Sequence, residues 1–437
     1  MSIPKEQIDN PVPAKSYTTQ ILLVGAFFFI FGFITWVNGT LIPYLRIACE
    51  LKEWQAYLVT FAFYISYTVM AIPSSLILAS TGMVKGMRLG LLVMCAGCVV
   101  FIPAALLRSY PLFLGGLFVI GTGTTLLQTA VNPYITLLGP ADKAAKRMSI
   151  MGICNKFAGV LAPLILGAII LSNADGLIKE LQALSPAAKT ARLDELARDV
   201  VLPYAVLSGI LLLISFAIKY AHLPEINMLP AADGREAASL SGAADPGTIG
   251  LPVVTHTRGF VLGFIAVFCC VGLEVVAGDT IGNYGLYHEL PLSVSRHLTS
   301  YTLAFTMIGY LFGALAIPRV LSQEKAFLIS SVLGIFIVAG ILLVPGVYSV
   351  GCVAALGLSN ALLWPAIWPQ ALKGLRGKAL NQGSAILIMG IAGGAIMPLV
   401  YGWVARSSNN QLAYWLLIPC YLFTLYYYFT GKKQVRI

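Results

Sequence analysis

Long apolar runs separated by short polar segments extend through the whole sequence, for example over residues 21–36 and 90–107. An α-helix needs about 20 mostly apolar residues to cross a hydrocarbon core of ~30 Å, and the longest runs exceed that length. The pattern therefore predicts an all-α membrane protein. We place twelve transmembrane helices at residues 20–44, 55–80, 88–107, 111–137, 149–172, 201–221, 259–287, 298–320, 325–345, 347–371, 381–404 and 411–430.

A polar segment, residues 222–258, follows the sixth predicted span and is rich in Ala, Gly, Pro and acidic residues. This composition is typical of a linker. It divides the chain into a six-helix half at 1–221 and a second six-helix half at 259–437. The stretches MGICNKFAGVLAPLILG in the fifth span and MGIAGGAIMPLVYG in the eleventh align with a three-residue gap, which indicates a parallel duplication.

Composition and charge agree with a membrane location. The chain is 58% hydrophobic and 11% charged, too few polar residues to cover a soluble protein of 437 residues. Eighteen Lys and Arg residues lie in the alternate segments that include both termini, against nine in the intervening segments. Basic loops stay on the cytoplasmic side, so we expect both termini in the cytoplasm. The net charge of +10 then reflects topology rather than nucleic-acid binding. No cleavage site follows the first apolar run, so we expect no signal peptide.

Cysteine and histidine offer no metal or redox chemistry. The eight cysteines lie mostly inside apolar runs, without zinc-site or disulfide spacing, and the four histidines lie near span ends or in loops. We therefore expect no metal site and no cofactor other than a coupling cation. An enzyme is not expected either, because no convergent His, Cys, Ser or metal constellation is present.

Two spans carry polar or aromatic residues at i, i+4 and i+8, a spacing that keeps them on one helix face. They are Thr124, Gln128 and Asn132 in the fourth span, and Asn360, Trp364 and Trp368 in the tenth. Amides exchange hydrogen bonds with sugar hydroxyls, and an indole covers the apolar face of a pyranose, so these stripes predict a sugar site in a central cavity. The alternative is that the amides join helices and the indoles lie at the lipid interface.

Three charged residues lie deep within predicted spans, where a charge costs at least ~2.5 kcal/mol. Glu274 is our first candidate for binding the coupling cation; the alternative is a protonated acid that bonds a neighbouring helix. Asp279 lies ~140° around the helix from Glu274. Glycines in AGDTIGNYG predict either a helix break, with carbonyls beside Asp279 that could hold sodium, or close packing. Lys156 either neutralises one of these carboxylates or extends toward the interface.

The stretches FGFITWVNGTLIPYL, LLQTAVNPYITLLGP, MGICNKFAGVLAPLILG, VGLEVVAGDTIGNYG and GSAILIMGIAGGAIMPLVYG resemble the fucose:proton symporter family of the major facilitator superfamily. The third and fourth are most similar to its glucose, galactose and N-acetylglucosamine carriers. The resemblance implies that Asn38, Gln128, Asn132, Asn155 and Trp364 contribute to a central sugar site.

The sequence departs from the fucose branch at two positions. Gly39 replaces the acidic residue of the branch's NDxLxP motif, and Gln128 replaces the glutamate of its ETAxNP motif. Fucose is therefore not the expected substrate, and coupling must use other residues, Glu274 first among them.

We accordingly expect a secondary active transporter with the major facilitator fold, working by alternating access in the inner cell membrane. Its expected substrate is a hexose such as glucose, galactose or N-acetylglucosamine, taken up with a proton or sodium. Its other expected partner is the lipid bilayer, and the expected oligomeric state is a monomer. The alternatives are a sugar uniporter without cation coupling and an exporter of drugs or metabolites.

Overall fold

The computed structural model describes residues 14–137, 144–170, 174–220, 258–317, 321–372 and 377–434. Within these ranges the regular structure is entirely helical. Eleven helical segments of the described chain are long and apolar enough to cross a membrane. The predicted linker lies outside the described residues except for Arg258.

The helices of the first half are α1 (Ala14–Ala48), α2 (Glu53–Ala56), α3 (Leu58–Thr81), α4 (Met83–Leu106), α5 (Tyr110–Leu137), α6 (Ala144–Ile170), α7 (Ala174–Ala183), α8 (Pro186–Arg198) and α9 (Val201–Tyr220). Those of the second half are α10 (Arg258–Asp279), α11 (Ile281–Tyr287), α12 (Leu292–Ser295), α13 (Leu298–Ala316), α14 (Gln323–Leu343), α15 (Gly346–Asn360), α16 (Leu363–Ala371), α17 (Gly377–Met389), α18 (Ala392–Ser407) and α19 (Leu417–Gln434). A 3₁₀ helix, Leu412–Leu416, precedes α19. Each of the twelve predicted spans falls on one or two of these helices.

Three predicted spans are broken more than five residues from either end. The seventh divides into α10 and α11 at Thr280, the tenth into α15 and α16 at residues 361–362, and the eleventh into α17 and α18 at residues 390–391. The first break lies in the glycine-containing stretch for which the sequence left either a helix break or close packing open. The other two were not predicted, because the apolar runs continue through them.

The polar segment between the fifth and sixth predicted spans folds into two short helices, α7 and α8. Ser185 caps α8 by accepting a hydrogen bond from the Ala188 amide at 3.5 Å, and Pro186 occupies the first turn, where no amide donor is needed. The Tyr44 hydroxyl donates to the Leu196 carbonyl at 2.5 Å, which fixes α8 against α1.

Small residues allow the helices of each half to pack closely, as is common in membranes. A Cβ atom added at Gly90 of α4 would lie 2.9 Å from the Gly123 carbonyl oxygen of α5. A Cβ atom added at Gly32 of α1 would lie 2.3 Å from the Asn155 carbonyl oxygen of α6. Only glycine fits these contacts without moving a backbone.

The two halves pack tightly at one end of the bundle. We call the end where α9 ends and α10 begins the linker end, and the other the opposite end. Toward the opposite end, a Cβ atom at Gly39 would lie 2.4 Å from Thr299 Oγ1, and one at Gly402 would lie 2.5 Å from Tyr57. Arg296 also donates to the Gly167 carbonyl of the other half at 3.2 Å. These contacts close the opposite end.

Candidate functional site

An ion pair joins the two halves in the middle of the bundle. Lys156 Nζ of α6 donates to Glu274 Oε1 of α10, and the ammonium also lies 5.1 Å from the ring centroid of Trp36 and 5.9 Å from that of Tyr310. Of the alternatives for Lys156, the structure therefore shows it neutralising a carboxylate. The Glu274 side chain remains 20% exposed.

Asp279 has a different environment from Glu274. It is fully buried, and one carboxylate oxygen accepts a hydrogen bond from Thr60 Oγ1 of α3 at 2.8 Å. Its other oxygen, Oδ1, has no hydrogen-bond partner in the described part of the chain. The two carboxylates of α10 thus serve different contacts, as their angular separation predicted.

The break after Asp279 is a kink rather than an unwound segment. Backbone hydrogen bonds cross it, from the Thr280 amide to Val276 at 3.1 Å and from the Tyr284 amide to Thr280 at 2.9 Å. The Gly278 carbonyl accepts a hydrogen bond from Thr299 Oγ1 at 2.8 Å. The kink therefore orients Asp279 without leaving a row of free carbonyls beside it.

Four fully buried tyrosines cover Asp279 toward the opposite end: Tyr57, Tyr284, Tyr401 and Tyr414. Successive ring centroids lie 5.8 Å apart for Tyr57 and Tyr401, 4.9 Å for Tyr401 and Tyr414, and 4.9 Å for Tyr414 and Tyr284. Because Tyr57 belongs to the first half and the other three to the second, this tyrosine cluster can exist only while the halves are closed here.

Gln128 is the member of the fourth-span stripe with the clearest polar contact. Its Nε2 donates to the Tyr67 hydroxyl of α3 at 3.1 Å. Asn132 is partly exposed on the same helix. Thr124 is buried and donates to the Ile120 carbonyl of its own helix at 2.8 Å, so its hydroxyl is already satisfied.

The tenth-span stripe is divided by the turn at residues 361–362. Trp364 and Trp368 on α16 are partly buried and stacked, with ring centroids 5.0 Å apart and planes at 23°. Asn360, the last residue of α15, accepts a hydrogen bond from the Tyr421 hydroxyl at 2.6 Å. Asn360 therefore faces α19 within its own half, and the expected three-residue stripe does not form because the helix is interrupted.

The two remaining amides occupy different positions. Asn38 is buried beside a small cavity of about 10 Å³ whose walls include Phe63 and Tyr204, inside the first half and away from the other amides. Asn155 is partly exposed and donates to the Phe28 carbonyl of α1 at 3.2 Å.

Three residues of α3 belong with the site but were missed from the sequence: Thr60, Tyr64 and Tyr67. Thr60 contacts Asp279, Tyr67 contacts Gln128, and the rings of Tyr64 and Tyr67 stack at 6.1 Å. Their spacing of i, i+4 and i+7 was available in the sequence, but tyrosine is common in apolar spans and does not mark a binding face.

A surface crevice of about 1250 Å³ lies at the opposite end, between the end of α1, the α7–α8 pair and residues 286–292. Lys189 Nζ and Glu50 Oε1 form an ion pair across it at 2.7 Å. The hydrogen bond from Lys189 lowers the pKa of the Glu50 carboxyl below its ordinary value. The crevice lies outside the tyrosine cluster and does not reach Asp279.

The chain belongs to the major facilitator superfamily: the family model of the Major Facilitator Superfamily matches residues 22–391. This confirms the fold predicted from the sequence. Among curated relatives, a glucose/galactose transporter of Brucella abortus is 31% identical over 424 residues, covering 96% of each chain. An L-fucose-proton symporter of Escherichia coli is 29% identical over 428 residues, covering 96% of this chain and 94% of that one.

A solved structure supports the same family assignment. The crystal structure of the major facilitator transporter FucP in the outward conformation superposes with a TM-score of 0.72 at 25% identity, covering 95% of this chain and 99% of FucP. The resemblance to the fucose:proton symporter family, and to its glucose and galactose carriers, is thereby confirmed.

Proposed function

We propose that this protein is a secondary active sugar transporter that takes up a hexose, such as glucose, galactose or N-acetylglucosamine, together with a cation. The observation that carries the proposal is the ion pair between Lys156 and Glu274, which joins the two halves in the middle of the bundle. The relatives named as glucose/galactose transporters and fucose-proton symporters support both the substrate class and the coupling.

The proposed sugar site lies between the halves on the linker side of the ion pair. Trp364 and Trp368 offer stacked indoles for the apolar face of a pyranose, and Gln128, Asn132 and Asn155 offer amides for its hydroxyls. Asn38 and Asn360 are left out of this set, because each faces the interior of its own half.

Alternating access follows from the position of the charges. The structure is closed at the opposite end, so opening there must separate α6 from α10 and with them Lys156 from Glu274. Leaving one member of a buried ion pair without its partner costs about 3–5 kcal/mol. The binding of sugar and of a cation at a carboxylate of α10 must offset that cost, which is how the cation gradient would drive sugar uptake.

A uniporter is the second candidate, and one observation favours it. Glu274 is already neutralised by Lys156, so it can serve structure without binding a cation. A uniporter equilibrates sugar under any gradient, whereas a symporter accumulates it.

We also propose that the protein lies in the bacterial inner membrane with both termini in the cytoplasm, as a monomer. The excess of Lys and Arg in the segments on the linker side supports this orientation. In that orientation the end at which the two halves are in contact faces outward.

The test is uptake of labelled glucose, galactose, N-acetylglucosamine and fucose into proteoliposomes, with proton and sodium gradients imposed separately. We expect concentrative, saturable uptake of one hexose under one gradient, strongly reduced in Trp364→Ala. Trp403→Ala is the matched control, because Trp403 is 68% exposed on the bundle surface and should transport normally. Uptake that never exceeds equilibration would favour the uniporter; absence of saturable sugar exchange would refute the transport proposal.

A further inference from the structure

We propose that Asp279 carries the coupled proton, while Glu274 stays ionised as the counter-charge of Lys156. The inference rests on the proposed cation-coupled transport and assigns separate tasks to the two carboxylates of α10. It reverses the order expected from the sequence, in which Glu274 came first because it lies nearer the centre of its span.

The surroundings of Asp279 favour a neutral acid. Its side chain is fully buried, Oδ2 accepts a hydrogen bond from Thr60, and Oδ1 has no partner in the described residues. An ionised carboxylate in such a place would be desolvated without compensation, whereas a carboxylic acid needs no counter-charge.

The groups that face Asp279 from the surrounding helices provide no paired cation. Tyr57 and Tyr64 of the first half lie within electrostatic range of it. Arg46 of α1 lies near Tyr57, but its Nη1 contacts Asn283 Oδ1 at 3.4 Å.

The remaining neighbours are neutral or acidic. Tyr401 and Tyr414 of the second half are neutral phenols, and Glu53 is an acid whose Oε1 accepts a hydrogen bond from Asn410 at 2.7 Å. Among the described residues, no Lys, Arg or His forms an ion pair with Asp279, whereas Glu274 has Lys156.

A proton fits this site better than sodium. A metal cation held at a broken helix requires several free oxygen ligands. Here the Gly278 carbonyl accepts a hydrogen bond from the Thr299 hydroxyl, and the Ala277 carbonyl accepts one from Thr302. Backbone hydrogen bonds also continue across the kink, so these carbonyl oxygens are already used. Oδ1 of Asp279 is left as a single oxygen without a partner among the described residues. One oxygen suffices to bind a proton, whereas sodium needs several ligands.

Asp279 is also connected to the proposed sugar site. Thr60, which donates to Asp279, lies one turn before Tyr64 on α3, and Tyr64 stacks on Tyr67, whose hydroxyl accepts the hydrogen bond from Gln128. The tyrosine cluster separates Asp279 from the opposite end. The proton therefore binds Oδ1 from water when that cluster opens, and movements of α3 link its occupancy to sugar contacts.

The experiment compares wild type, Asp279→Asn, and the double variant Lys156→Met with Glu274→Gln in proteoliposomes. Asparagine mimics the protonated acid, so Asp279→Asn should lose proton-driven accumulation and its pH dependence while still exchanging sugar across the membrane. The double variant removes both charges of the ion pair but leaves Asp279 in place, so the uptake that it retains, at whatever rate, should still depend on the proton gradient. Asp194→Asn is the control, because this carboxylate is 48% exposed on α8.

Infrared spectroscopy provides a readout independent of transport. The purified wild type at neutral pH should show a carboxylic-acid carbonyl band that Asp279→Asn lacks and the double variant keeps. Accumulation by Asp279→Asn on a proton gradient would overturn the proposal, as would loss of the band only in the double variant. Accumulation driven by sodium alone and lost in Asp279→Asn would overturn the assignment of a proton. A wild type without saturable exchange would instead refute the proposed function.

Discussion

Gly39 of α1 is a point where a single methyl group should shift the protein between conformations. A Cβ atom there would lie 2.4 Å from Thr299 Oγ1, 2.7 Å from its Cγ2 and 3.0 Å from its Cβ. Rotating the threonine cannot relieve all three contacts, and it would break the hydrogen bond from Oγ1 to Gly278. The backbones of α1 and α13 must therefore separate, and these helices belong to different halves.

The magnitude follows from the cost of overpacking, about 1–3 kcal/mol for an added methyl group in a well-packed contact. Alanine also favours the helix over glycine by ~1 kcal/mol, but this gain applies in every conformation in which α1 is helical. The conformational equilibrium should therefore shift away from the closed opposite end by ~5-fold to 150-fold in Gly39→Ala.

The assay is a distance measurement between spin labels at Leu107→Cys and Ser408→Cys in a background without the eight native cysteines. Both positions are exposed at the opposite end, one in each half. Gly39→Ala should lengthen the distance, and adding Thr299→Ala should restore much of the wild-type distribution. Gly351→Ala is the control, because nothing lies within 4 Å of a Cβ atom there. A distribution for Gly39→Ala that matches the control would refute the reasoning.

Two further predictions concern single hydrogen bonds. Tyr67→Phe removes the acceptor of the Gln128 amide, a hydrogen bond worth about 0.5–1.5 kcal/mol. The KM for sugar should therefore rise by ~2-fold to 12-fold, while the accumulation ratio stays unchanged. An unchanged KM in initial-rate uptake would contradict a role of this hydrogen bond in sugar binding. Lys189→Gln removes the partner of Glu50, an exposed pair worth at most about 1 kcal/mol. Because the native pKa of Glu50 is lowered, this stabilisation is present above its unfolded pKa and lost as pH falls through its native pKa. Thermal unfolding should therefore distinguish the variant from wild type at pH 7 but not in strong acid.

The positions of the candidate charges could be predicted from the sequence, but their partners could not. Glu274, Asp279 and Lys156 were identifiable because a charge inside an apolar run is rare and costly. That Lys156 meets Glu274 and leaves Asp279 without a counter-charge depends on how α6 and α3 pack against α10. Helical periodicity gives the angle between two side chains on one helix, not the neighbour that each one faces.

The amide and indole predictions show the same limit. Trp364 and Trp368 form the expected pair, whereas Asn360 turns toward Tyr421 because the helix is interrupted after it. Trp36 of α1 faces the other half, because a Cβ atom added at Gly278 of α10 would lie 2.5 Å from its ring. Asn38 follows Trp36 by two residues, about 200° around the helix, so it lies on the far side of α1 from the other half. The resemblance indicated that this amide matters, but a motif does not state which face of its helix meets the partner half.

The sequence by itself predicted the class of protein, the spans and the family, which are confirmed, and a division into two halves, which stays a prediction. Each of these depends on local properties: a helix in lipid satisfies its own backbone hydrogen bonds, so length and apolar composition suffice to predict it. Only the tertiary structure decided the ion pair across the halves, the isolation of Asp279 under the tyrosine cluster, and the closed opposite end. These are contacts between helices distant in the chain, and small residues such as Gly39 and Gly278 set how closely those helices approach.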